Sequence, residues 1–169
     1  MKYGRSIITV AAGLTAIGLA GFASGDAQAA SANGTANATI VQAIGISAVN
    51  TLEFGDILNG AANTVTVSAL TGARSATDAT QLIGGTVQAA SFSVTGDNNR
   101  AYTITLPASA TVTGPGAATM TVDTFTHDAG GAPALTAGAD SFNVGANLTV
   151  ANGQAAGAYT GTFTVTVNY

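Results

Sequence analysis

A chain of 169 residues with four basic and eight acidic side chains carries a formal charge of −4 and has no basic footprint, which excludes nucleic acid and anionic lipid as electrostatic partners. Cysteine is absent, so no disulfide braces the fold and no thiol serves as a nucleophile or metal ligand; a single histidine leaves zinc without a ligand set.

The chain opens on a secretory pattern. Lys2 and Arg5 precede an apolar and small-residue run over residues 6–23, and Ala27, Gln28 and Ala29 form a small-x-small cut site. Residues 1–29 are therefore expected to be a signal peptide, cleaved between Ala29 and Ala30. The pattern predicts export through the inner membrane to the periplasm, then to the cell surface or beyond. No later stretch is long and apolar enough to span a bilayer, so no integral membrane segment is expected in the mature chain. The remaining chain, about 140 residues, suits one domain with one core.

Residues 30–38 are small and polar, which predicts a flexible arm. A row of one parity, Ala36, Ala38, Ile40, Ile44 and Ile46, runs through and beyond it, interrupted by Gln42. The arm is a candidate donor strand that in its longest form extends to residue 46. Residues 39–169 are the predicted domain. Threonine and valine dominate it, and both fit a pleated surface. Period-two segments recur at TLEFGDI (51–57), NTVTVSAL (63–70), ASFSVT (90–95), AYTITL (101–106), TMTVDTFT (119–126) and 140–150. Residues 71–85 read as a long loop. GDNN (96–99), ASATVTGPG (108–116), DAGGAP (128–133) and ANGQAAG (151–157) read as turns or loops. The last segment, YTGTFTVTVNY (159–169), alternates most regularly: Phe163, Val165, Val167 and Tyr169 share one face and threonines fill the other. About eight short strands with almost no helix predict an all-β chain, a single Ig-like β-sandwich behind the signal peptide.

No catalytic constellation emerges. His127 precedes Asp128, but neighbours on a strand face opposite ways, so the pair reads as the polar entry to a loop rather than an oriented base. No serine lies in a Gly-x-Ser-x-Gly turn. Asp97, Asn98 and Asn99 lack calcium-loop spacing and have hairpin-turn composition. Glu53 and Asp56 read as a solvated strand face and turn rather than a glycosidase pair. Tyr102 and Tyr159 could stack on a sugar or serve the core. Neither an enzymatic activity nor a cofactor is expected.

The segments LEFGDI (52–57), AYTITLP (101–107), TMTVDTF (119–125) and LTVANGQAAGAYTGTFTVTVNY (148–169) together resemble a secreted bacterial family, domain of unknown function 4402. The final segment is also similar to the ends of chaperone-usher pilus subunits and spore coat U-like domains, which close on an alternating strand with a tyrosine and carry an early L-x-F-G element. That resemblance implies a pilin-like sandwich missing one strand. It implies a periplasmic chaperone that lends a strand, an outer-membrane usher, and polymerisation when the next subunit's arm fills the gap. Phe163, Val165, Val167 and Tyr169 would then form an assembly strand. A structural subunit of a surface fimbria, bound to other copies of itself or related subunits, is thus one expectation. The other is a self-complete secreted sandwich that binds a surface component or a glycan.

Overall fold

The computed structural model describes residues 29–169, so the predicted signal peptide lies, but for Ala29, outside the described residues. Residues 29–38 belong to a separate unit from the domain, Thr39–Tyr169; they are exposed throughout and form no strand. Within the domain eleven strands follow one another: β1 (Gly45–Asn50), β2 (Glu53–Ile57), β3 (Asn63–Val67), β4 (Arg74–Ala76), β5 (Leu82–Gln88), β6 (Ala90–Thr95), β7 (Thr103–Thr105), β8 (Ser109–Thr113), β9 (Thr119–His127), β10 (Ala139–Val150) and β11 (Thr166–Asn168). The fold is all-β and sandwich-like, as the alternation predicts.

The twelve-residue β10 organises it. Its first half pairs antiparallel with β6, and its second half with β3 and β9. β1 extends the sheet beyond β6, β4 beyond β3, and β8 beyond β9. Two ribbons, β2–β5 and β7–β11, stand apart from this seven-stranded sheet. Burial follows parity. In β3 Val65 and Val67 are buried while Thr64 and Thr66 are half-buried, and in β6 Ala90, Phe92 and Val94 are buried between half-buried serines.

Two core clusters result. One gathers Phe92, Val94, Tyr102, Leu135, Phe142, Val144 and Val167; the other gathers Val65, Val122, Ala146, Leu148 and Val150. Leu52 and Phe125 pack against both and join them. In the first, the Phe92 and Phe142 rings stack with centroids 5.5 Å apart.

Three expectations need correction. Residues 71–85 are not a loop: they hold β4, a 3-10 turn at Ala79–Gln81 and the start of β5. Arg74 on β4 donates to the carbonyls of Phe54 (2.6 Å) and Asp56 (3.2 Å), tying β4 to β2. Asp78 caps the 3-10 turn: its carboxylate accepts from the Thr80 hydroxyl (2.6 Å), the Gln81 side-chain amide (3.1 Å) and the Thr80 N–H (2.9 Å), and these bonds hold its pKa below the usual range. The second correction is β8, which lies inside the stretch 108–116 read as loop; its alternation was short and flanked by Pro107, Gly114 and Pro115. The third concerns the last segment, where only Thr166–Asn168 is bonded as strand.

Candidate functional site

The C-terminal segment runs antiparallel to residues 103–113. It is bonded to them at its two ends and not between. Thr113 and Thr160 exchange both backbone bonds, at 2.8 and 3.0 Å. Farther on, β11 pairs with β7, Thr166 opposite Thr105 and Asn168 opposite Thr103. Among the described residues no backbone hydrogen bond closes on residues 161–165. Two local features account for this. Between the two bonded ends, residues 161–165 of the last segment answer to residues 106–112 of the partner, which is two residues longer, so register is lost between them. Pro107, midway along the partner, has no N–H to offer. At its start the segment passes so close to β8 that a Cβ on Gly161 would run into the carbonyl oxygen of Thr111.

The side chains are nonetheless divided as alternation predicts. Phe163 and Val165 are half-buried and Val167 is buried, whereas Thr160, Thr162, Thr164, Thr166 and Asn168 are exposed. The Phe163 ring lies 4.9 Å from Phe125 and, edge-on, 6.2 Å from Phe92. On the other side, among the described residues, β1 pairs only with β6 and its second edge has no bonded strand. Ile44 and Ile46 from this side and Phe163 and Val165 from the last segment pack on the same core cluster. Two unpaired edges therefore border one apolar floor.

One end of this floor is closed by Tyr169. Its hydroxyl accepts the Asp97 backbone N–H (2.5 Å) and donates to the Gln42 carbonyl (3.1 Å). The Arg100 guanidinium lies 4.8 Å over the ring and 3.8 Å from the Asp97 carboxylate. Gly96 makes room: a Cβ there would collide with the phenol oxygen.

The donor candidates separate. Ala29, Ala30, Ala36 and Ala38 are exposed and outside any strand, and Ile40 is 97% exposed. Ile44 is half-buried, and Ile46 lies in β1 opposite Val94, inside the domain's own sheet. Tyr102 is buried and donates its hydroxyl to Asp140 at 2.8 Å; Tyr159 is half-buried, with its hydroxyl bonded to Gln154 and Ala155. Both tyrosines are thus engaged internally. His127 sits edge-on to Phe142 (6.2 Å), and the Asp128 carboxylate takes the N–H and amide of Asn143 instead, both at 2.7 Å. The sequence reading took Gln42 as a break in the donor row and Gly96 and Asp97 as part of a turn, and it gave none of them, nor Arg100, a place beside Tyr169. Gln42 and Tyr169 are 127 positions apart, and no local pattern joins them.

A family model covers residues 44–169. The chain belongs to the family described as Domain of unknown function (DUF4402). No curated protein and no solved structure matches it. The DUF4402 region begins at Ile44, so it takes in β1, the last segment and Tyr169 but leaves Gln42 outside. The hydroxyl bond from Tyr169 thus reaches from the family domain to the segment that precedes it. No helix among the described residues is long and apolar enough to cross a membrane.

Proposed function

We propose that the protein is a structural subunit of a bacterial surface fimbria, exported through the inner membrane and polymerised by strand donation. The arm, residues 30–38 with at most the strandless residues 39–44 after it, fills the open edge of another copy or a related subunit; Ile46, at the far end of the expected donor row, stays in β1. One observation carries this reading: residues 161–165 present unbonded backbone above Phe163 and Val165. An added strand would bond that backbone and set alternate side chains against the same apolar row. An uncovered edge of this kind invites indiscriminate pairing, so the reading includes a periplasmic chaperone that covers it in transit and an outer-membrane usher that exchanges it. It assigns the chain neither a catalytic role nor a cofactor.

Strand exchange would make the polymer long-lived, because every backbone bond must break before a subunit leaves. The test is a shear fraction from native cells, run unheated and boiled on a detergent gel. A ladder that collapses to one band on boiling is the expected result; a single monomer band in both lanes rejects the reading. Deleting residues 30–39 is expected to abolish the ladder, and an unchanged ladder would remove the arm from the scheme.

A self-complete sandwich that binds a surface component or glycan is supported by a different place. A shallow pocket of about 320 Å³ lies between Ser68, Leu70, Thr124, Thr126 and Asn147. Val67, Ala69 and Ala146 complete a mainly apolar lining, and that floor with a few hydroxyls and one amide around it suits the face of a neutral sugar ring. Glycan-array binding by a chain that forms no ladder, lost in Asn147→Ala, would favour it.

A further inference from the structure

We infer that Tyr169 is a latch that holds residues 39–44 on the domain and thereby sets how much of the chain is free to be donated. The inference rests on the strand-donation reading for its purpose and on the hydroxyl geometry for its existence. Residues 39–44 form no strand, and Ile40 is almost wholly exposed. What fastens them is the phenol bond to the Gln42 carbonyl, at 3.1 Å, together with the partial burial of Val41 and Ile44. The phenol is itself fixed from behind. The Asp97 N–H donates to it, Arg100 lies over its ring, and the absent side chain of Gly96 leaves the space it occupies.

The consequence for donation is a change in arm length. With the latch closed, the free chain ends near residue 38, and its inward parity offers only Ala36 and Ala38. With it open, residues 39–44 join the arm, and Ile40 and Ile44 extend the same row. Alanine fills a groove poorly, whereas an isoleucine buries a large apolar side chain. An incoming partner therefore gains its strongest anchors only when Tyr169 lets go of Gln42. The latch also stands at one end of the floor between β1 and residues 161–169, so the edge a donor would occupy is narrowed at that end while it is closed.

The experiment compares the full exported chain with Tyr169→Phe, which removes the hydroxyl and keeps the ring under Arg100. Thermolysin, which cuts before apolar residues such as Val41 and Ile44, is used to read cleavage within residues 39–44 first, and growth of the detergent-resistant ladder is read second. Loss of one hydrogen bond is expected to raise the detached population, and with it the cleavage rate, about fivefold, with β6 and β10 left uncut. The ladder should then grow faster. Gly96→Ala, which displaces the phenol by another route, should reproduce both effects, with circular dichroism confirming the fold. Unchanged cleavage in both variants overturns the latch, whether or not the chain polymerises. Faster cleavage with an unaltered ladder rate overturns its gating role. Faster cleavage with no ladder from either protein leaves the hold in place but sinks the strand-donation reading, and the gating role with it.

Discussion

Tyr102 is 3% exposed, and its hydroxyl donates to Asp140 at 2.8 Å. Burial, and then the neighbouring carboxylate, push the phenol's pKa up from its ordinary value. A raised pKa means that the folded state holds this proton more tightly than the unfolded one. The stabilisation is therefore complete below the unfolded phenol's pKa of about 10 and declines as pH rises beyond it. Tyr102→Phe should lower stability by about 1–3 kcal/mol at neutral pH and flatten that alkaline decline, as urea titrations from pH 7 to 11 would show. Gly161 acts through space rather than charge. A side chain there meets the Thr111 carbonyl, so Gly161→Val should cost about 1–3 kcal/mol and part residue 160 from residue 113. Loss of amide protection at Thr113 and Thr160 would report it.

Among the elements, legibility tracked how cleanly a strand alternates. β3, β6 and the second half of β10 could be read because one face is apolar and the other mostly threonine, serine or asparagine; β9 kept enough of that rhythm although its covered row changes parity between Val122 and Phe125, where its register with β10 shifts. β5 could not be read, since Gly84 and Gly85 break its period and its register with β2 shifts twice. The last segment shows a deeper limit. Its side chains alternate over residues 159–169, and burial obeys that pattern, yet only three residues are bonded as strand. Alternation reports which face is covered; it does not report whether a neighbouring strand is there to take the backbone. The threonine-to-valine rhythm therefore located the site but not its open edge. Phe163, wedged between Phe92 and Phe125, holds that edge in place. Phe163→Ala should destabilise the domain by about 2–4 kcal/mol and, under the proposed function, weaken the ladder to heat. A ladder as heat-resistant as that of the parent would place the strand contact elsewhere.

For the whole molecule, the two core clusters share Leu52 and Phe125, and β10 threads both. Neither can melt without exposing the other, so unfolding should be a single transition. The chain lacks tryptophan, and tyrosine fluorescence, with Tyr102 in the first cluster, should give the same midpoint as far-ultraviolet circular dichroism, which samples both. Separate midpoints would mean that the clusters fold independently. The all-β class was legible from composition and spacing alone. The convergence of Gln42, Asp97, Arg100 and Tyr169 was not, because it depends on how distant strands align across the sandwich, which no local pattern encodes.

The two arginines past the expected signal peptide have a bearing on how the folded chain meets proteases. Arg74 is bonded to the carbonyls of Phe54 and Asp56, and Arg100 lies against Asp97 and Tyr169; there is no lysine from residue 29 onward. Digestive enzymes that cut after basic residues thus find only two bonds, each following a side chain already in use. Trypsin should leave the folded domain whole under conditions that digest folded proteins with many exposed lysines and arginines, and a pulse of the enzyme followed by a denaturing gel would show the domain uncut.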